Sequence, residues 1–235
     1  MNVAQVTIPL WVDLAAITIA SISGAIFAAK FDNHRIDLLG IGIVGAATGL
    51  GGAFARDVLL GVTPAALSNN WYLPTTLVAA LIGMMLERLI VRLDSLWKLL
   101  DALTVGMYAA IGMTKALGMG VAVLPATFIG ALAAVGGSAL RDMLLGIPVA
   151  MLRVGSLYAV AAVAGTAALA AALGCGANAH IAAIVCAVFT TLVRMCSERF
   201  GWSLPEQRSW MRGKTPVRGA PMRDTEGYVR AEPTR

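Results

Sequence analysis

The sequence predicts an all-α fold: a polytopic membrane protein of seven transmembrane helices, arranged as an inverted 3+3 repeat plus one extra helix. Three observations predict it. The 235 residues are 58% hydrophobic and only 13% charged, with a mean hydropathy of +0.78, well beyond the balance of a soluble domain. Apolar runs fall near 9–29, 38–60, 72–92, 99–117, 121–145, 154–174 and 178–196, each of the roughly 17–25 residues that a spanning helix needs. Finally, one stretch occurs twice, GGAFARDVLLG at 51–61 and GGSALRDMLLG at 136–146. A constant offset between the copies points to duplication of a multi-helix unit.

Loop charge sets the expected orientation. Lys30 and Arg35 follow the first run, Arg88, Arg92 and Lys98 the third, Arg153 the fifth, and Arg194 with the tail the seventh, whereas the opposite loops offer only Lys115. The N-terminus is therefore expected outside and the C-terminus in the cytoplasm. Three spans per repeat is an odd number, so the halves insert with opposite orientation. The expected organisation is a transmembrane domain over 1–198, with repeat one at about 9–92, repeat two at about 99–174 and the seventh helix at about 178–196. A basic cytoplasmic tail over 199–235 follows, too poor in apolar residues to pack and suited to anionic lipid. The N-terminus lacks the positive region and cleavage site of a signal peptide, so the first span is expected to be retained.

Span 1 opens with Asp13 and span 4 with Asp101, and Gly24 and Gly112 follow at equal spacing, so the repeat extends beyond the motif. Each acid suits a solvated helix N-terminus, which the helix dipole favours, or a cation-attracting pore mouth; the first reading is preferred. Span 2 carries Gly42, Gly45, Gly49 and Gly52 on one face, leading to Arg56, and span 5 repeats this with Gly130, Ala133, Gly137 and Arg141. Such small-residue stripes let helices approach backbone to backbone. Pro64 and Pro148 are expected to stop these helices.

The pairs Arg56-Asp57 and Arg141-Asp142 need an explanation, because charge at membrane depth is costly. Either each pair neutralises itself and locks packing, or each follows a broken helix whose freed carbonyls line a polar path. The glycine pairs Gly51-Gly52 and Gly136-Gly137, just upstream, favour the path. On span 4, Thr104, Tyr108 and Lys115 share a face that suggests a wet interior, with Lys115 expected to snorkel to the headgroups rather than gate. Spans 3 and 6 read as peripheral, and span 7 as a packing or subunit-contact helix. Cys175, Cys186 and Cys196 read as small core residues. His34 and His180 stand apart from any Cys or Glu cluster, which leaves no metal site and no nucleophile-base arrangement.

At the two GGxxxRDxLLG copies the sequence resembles the prokaryotic members of the trimeric intracellular cation (TRIC) channel family, also labelled glycine transporters. The resemblance covers roughly Leu10 to Arg199. The third glycine usual in that pattern is Ala53 in one copy and Ser138 in the other. The resemblance implies a homotrimer whose subunits each hold a pore bounded by spans 1, 2, 4 and 5. It also implies monovalent cations, potassium above all, as permeant ions and no other cofactor. Carried over by position, Gly51, Gly52, Gly136 and Gly137 are kink residues, and Arg56, Asp57, Arg141 and Asp142 brace the kinks or border the pore. Beside the resemblance, the residues themselves leave Asp13, Asp101, Lys115, Ser138, Thr104 and Tyr108 as further candidates for a pore mouth or gate. A secondary transporter of a small amino acid such as glycine shares this anatomy. Partners are expected to be further copies of the chain and membrane lipid rather than nucleic acid, the residence a bacterial inner membrane, and enzyme activity has no support.

Overall fold

The computed structural model describes residues 8–31, 36–90, 94–152 and 157–202, with the side chains of 87–94 outside that description. His34, Arg35, Arg92, Arg153, the Arg88 side chain and the basic tail beyond Trp202, all used above, therefore lie outside the described residues. The described residues all fall within one compact unit.

Eight α-helices follow in order among the described residues: α1 Leu10–Ala29, α2 Leu38–Leu59, α3 Ala65–Ser68, α4 Tyr72–Ile90, α5 Asp94–Gly118, α6 Val123–Leu144, α7 Tyr158–Gly174 and α8 Ala179–Phe200. A 3-10 turn at Ala150–Leu152 precedes α7. Five of these, α1, α2, α5, α6 and α8, are long and apolar enough to cross a membrane, and α4 and α7 are shorter apolar helices. Asp37 caps α2, its carboxylate accepting from the Gly40 N–H at 2.7 Å, and Asn178 caps α8 through the Ile181 N–H at 2.8 Å. Such caps satisfy donors that a helix start leaves open. Gly201 closes α8 at φ +63.

The two halves are built alike. α1, α2, the short α3 and α4 correspond to α5, α6, the 3-10 turn and α7. α2 and α6 form the most extensive helix pair, while α1 packs on α2 and α4, α5 on α6, and α8 on α5 and α7. Side-chain contacts fix their sense. Asp13 at the start of α1 and Lys115 at the end of α5 meet around Arg56 and Asp57. Phe27 at the end of α1 lies against Arg141, which pairs with Asp101 near the start of α5. α1 and α5 are therefore antiparallel, and the repeat is inverted.

The interior is dominated by alanine and glycine with a few larger groups, among them Ile17, Ile26, Met113 and Leu169, all fully buried. Small side chains suit a membrane interior, where close van der Waals contact rather than water exclusion holds helices together. Cys186 belongs to this core, but Cys175 at the end of α7 is exposed and Cys196 is intermediate. Reading all three cysteines as core residues is corrected on that point: Cys175 follows the last turn of α7 as its C-cap residue and is exposed.

Candidate functional site

The second half of each motif ends its helix and folds the chain back. After Leu60, Gly61 adopts φ +66. Its N–H bonds to the Val58 carbonyl at 3.1 Å, and the Val62 N–H bonds to the Asp57 carbonyl at 3.0 Å. This crossed pair is the Schellman ending that glycine accommodates without steric cost. α6 repeats it: Gly146 at φ +65, Gly146 N–H to Met143 at 3.1 Å and Ile147 N–H to Asp142 at 3.0 Å. The glycines stop the helices, not Pro64 and Pro148 as expected; Pro64 instead precedes α3 as its N-cap residue.

The aspartate side chains tie down the returning chain. Asp57 Oδ2 accepts from the Ala65 N–H at 2.9 Å, and Asp142 Oδ2 from the Ala150 N–H at 2.7 Å. Each carboxylate thereby stabilises the start of the short helical turn that follows its own helix.

Around them the first half, joined by Lys115 of α5, builds a buried network of charges. Arg56 Nε donates to Asp57 Oδ1 at 2.7 Å, and Arg56 Nη1 reaches Asp13 Oδ1 at 3.4 Å. The Tyr72 hydroxyl donates to Asp13 Oδ2 at 2.7 Å, and Lys115 Nζ pairs with Asp57 Oδ1 at 2.7 Å. Arg56 and Asp57 are buried to within 1%. Asp13 is not a solvated helix end: at 7% exposure it is buried, held by Arg56 and Tyr72. Nor does Lys115 snorkel freely, since its ammonium is spent on Asp57. Inside apolar surroundings a paired carboxylate offers far more than a headgroup at the interface.

The second half repeats the plan at the other end. Arg141 pairs with Asp142 at 2.9 Å and with Asp101 at 3.7 Å, and the Tyr158 hydroxyl donates to Asp101 Oδ2. Asp101 is 5% exposed. It does not open its helix, because α5 begins at Asp94, about two turns earlier. Arg194 of α8 joins in, at 3.9 Å from Asp101 and 2.6 Å from Glu198, with its guanidinium 3.8 Å from the Tyr158 ring. The helices expected to be peripheral, α4 and α7, thus supply the tyrosines, and α8 supplies a cation. Tyr72 and Tyr158 each open the third long helix of a repeat, a symmetry that could have flagged them. Arg194 has no counterpart and carried no such signal.

Between the networks, α2 and α6 cross at the glycine pairs. A Cβ at Gly51 would lie 3.2 Å from the Gly137 Cα, and one at Gly136 would lie 3.2 Å from the Gly52 Cα. At Gly52 it would strike the Ala133 carbonyl oxygen, and at Gly137 the Thr48 carbonyl oxygen. Both helices run unbroken through these residues, so the expected break is absent. Here glycine serves approach rather than interruption.

Beside the crossing lies a cavity of about 10 Å³ whose lining includes Ser23 of α1, Thr48 of α2, Asp101, Thr104 and Tyr108 of α5, and Gly137 and Ser138 of α6. It has room for about one water. The Tyr108 hydroxyl donates to the Gly49 carbonyl, and the Thr104 and Ser138 hydroxyls donate to the carbonyls of Leu100 and Val135. The Ser23 hydroxyl, buried at this cavity, finds no protein partner among the described residues. From Asp101 to Lys115 the polar face of α5 spans roughly 21 Å and joins the two networks past Tyr108. A larger open groove of about 400 Å³, between the start of α1, α5 and α8, is lined almost wholly by apolar side chains and includes none of the charged residues.

The family model described as "Glycine transporter" matches residues 10–88 and 98–173. A solved structure of the TRIC trimeric intracellular cation channel orthologue from Rhodobacter sphaeroides superposes with a TM-score of 0.75 at 28% identity, covering 82% of this chain and 98% of that one. The chain belongs to the prokaryotic TRIC channel family. This TRIC-family chain is also 34% identical over 169 residues to the UPF0126 membrane protein of Deinococcus radiodurans, covering 71% of the one and 73% of the other. It is 32% identical over 139 residues to the UPF0126 inner membrane protein YadS of Escherichia coli, covering 57% and 64%.

Proposed function

We propose that this TRIC-family chain is a monovalent cation channel of a bacterial inner membrane. Potassium is the permeant ion, and each subunit of a homotrimer carries its own path. The observation that carries this reading is the polar cavity where α1, α2, α5 and α6 meet, framed at opposite ends by the two charged networks. An ion crossing there would pass Asp101, Thr104 and Tyr108 on α5, with the motif glycines keeping the walls slender and the Arg-Asp pairs holding the helix ends. At about 10 Å³ the cavity is too small for a hydrated ion, so conduction requires it to widen. α4 and α7 complete seven spans, with the N-terminus outside and the basic tail on the cytoplasmic face against anionic lipid. The Rhodobacter neighbour, described as a trimeric cation channel, supports ion class and assembly alike; enzyme chemistry has no place in this reading.

A second reading, a secondary transporter of glycine, draws on the description of the matching family model and on the inverted repeat, which suits alternating access. Recording from purified protein in planar bilayers under a potassium chloride gradient separates them. Unitary currents reversing toward the potassium potential are expected. A silent bilayer together with saturable glycine uptake into proteoliposomes would overturn the channel.

A further inference from the structure

The cavity beside the crossing draws on hydroxyls that the inverted repeat does not duplicate. They come from Ser23, Thr48, Thr104 and Ser138. Under the shift that relates Asp13 to Asp101, Thr104 corresponds to Ala16 and Ser23 to Ile111. Under the shift that relates Arg56 to Arg141, Thr48 corresponds to Ala133 and Ser138 to Ala53. All four counterparts are buried, none more than 5% exposed, and none carries a polar side chain. At these positions the two halves share burial but not the oxygen.

Hydrogen bonding decides what the oxygens can bind. Thr48 Oγ1 donates to the Val44 carbonyl at 2.7 Å, Thr104 Oγ1 to the Leu100 carbonyl at 2.9 Å, and Ser138 Oγ to the Val135 carbonyl at 2.9 Å. A hydroxyl has one proton to give and lone pairs to offer, so each of the three keeps acceptor capacity only. The Tyr108 hydroxyl has likewise spent its proton, on the Gly49 carbonyl. Ser23, 2% exposed, carries the one lining hydroxyl without a protein partner among the described residues. A buried polar group in that position is costly unless a water or an ion satisfies it. Asp101 is engaged by Arg141, Arg194 and Tyr158, so neutral oxygens rather than its charge define the site.

We propose that Ser23, Thr48, Thr104 and Ser138 form a one-sided cation site, on the Asp101 side of the crossing, and that they set selectivity there. This rests on the channel reading and adds which groups replace the ion's water, and in which half. Oxygens whose protons are spent suit a cation and offer nothing to an anion, which needs donors; rings of carbonyl oxygens in potassium filters use the same principle. The space of about 10 Å³ that excludes a hydrated ion holds about one water, a body close in size to a potassium ion stripped of its shell. Ala16, Ala53, Ala133 and Ile111 offer no such oxygens, so selection is made once, in one half of the path.

Planar-bilayer recording under a potassium chloride gradient reads the selectivity, and anomalous diffraction with thallium(I), a heavy stand-in for potassium, reads the site. Thr104→Val and Ser138→Ala each remove one acceptor at little change of volume. Each should lower the potassium-to-chloride permeability ratio roughly threefold or more, the scale of one lost polar contact. The double variant Ser23→Ala/Ser138→Ala should lower it further. Ala53→Ser should leave the ratio unchanged and should not restore it when added to Ser138→Ala. Unchanged ratios in the hydroxyl variants, or restoration by Ala53→Ser, would overturn the one-sided site, while wild-type currents would keep the channel reading. Crystals of the wild type grown with thallium should show the ion among Ser23, Thr48, Thr104 and Ser138, and the double variant should lose it. No ion there, an ion that survives the double variant, or an equal site beside Ala53 would also overturn the proposal. A wild type that carries no current removes the channel reading, and the thallium site then decides alone whether these hydroxyls hold a cation.

Discussion

Replacing Gly52 by alanine adds one methyl group at the point where α2 and α6 cross. That methyl would overlap the Ala133 carbonyl oxygen, a backbone atom that cannot rotate aside as a flexible side chain would. The helices must separate or shift, and overpacking of this kind costs about 1–3 kcal/mol. Alanine is also a better helix former than glycine by about 1 kcal/mol, so the net loss for one variant is ambiguous. Gly42 resolves the ambiguity: it lies on the same helix, and a Cβ there meets nothing within 4 Å. Gly42→Ala changes helix propensity alone, whatever its size in a micelle, and the difference between the two variants isolates the crossing. Gly52→Ala should therefore be less stable than Gly42→Ala by about 1–3 kcal/mol in reversible unfolding from detergent. Equal stabilities would refute the close approach of the two helices, and with it the argument that the motif glycines serve contact.

Tyr72→Phe and Tyr158→Phe each remove a hydroxyl that donates to a buried carboxylate. Each should cost about 1.5–3 kcal/mol in the same unfolding assay, and no loss in either would remove that tyrosine from its network. Asp57→Asn leaves Lys115 without its carboxylate and Arg56 with Asp13 alone, and should cost about 3–5 kcal/mol; measured stability near wild type would mean that the pairs are not coupled. Neutralising Arg56 and Asp57 jointly should not restore stability, because Asp13 then loses Arg56 and Lys115 loses Asp57. Cysteine-accessibility labelling should find position 2 outside and position 220 in the cytoplasm; both on one side would refute the seven-span topology. Deleting 205–235 should leave assembly and bilayer currents intact, and loss of assembly would show that the tail is structural.

Much of this protein follows from local sequence. Hydropathy over a window of about 19 residues reports a helix in a bilayer directly, since a spanning segment must satisfy its own backbone and the period of the fold is short. Internal symmetry did the rest: the doubled motif with Asp13 and Asp101 marked the duplication, and the cost of charge at membrane depth marked Arg56, Asp57, Arg141 and Asp142 before any contact was visible. Tertiary structure alone decided the pairing. Lys115 and Asp57 are 58 residues apart, and they meet because inversion brings the end of α5 to the end of α2, a consequence of assembly and not of any window of sequence. The same holds for Tyr72, Tyr158 and Arg194, whose surroundings read as plain apolar helix until the helix ends converge. Glycine pairs are ambiguous for a related reason: the residue that weakens a helix is also the one that lets another helix touch it, and only the position of the second backbone, here at Gly136 and Gly137, tells the two apart.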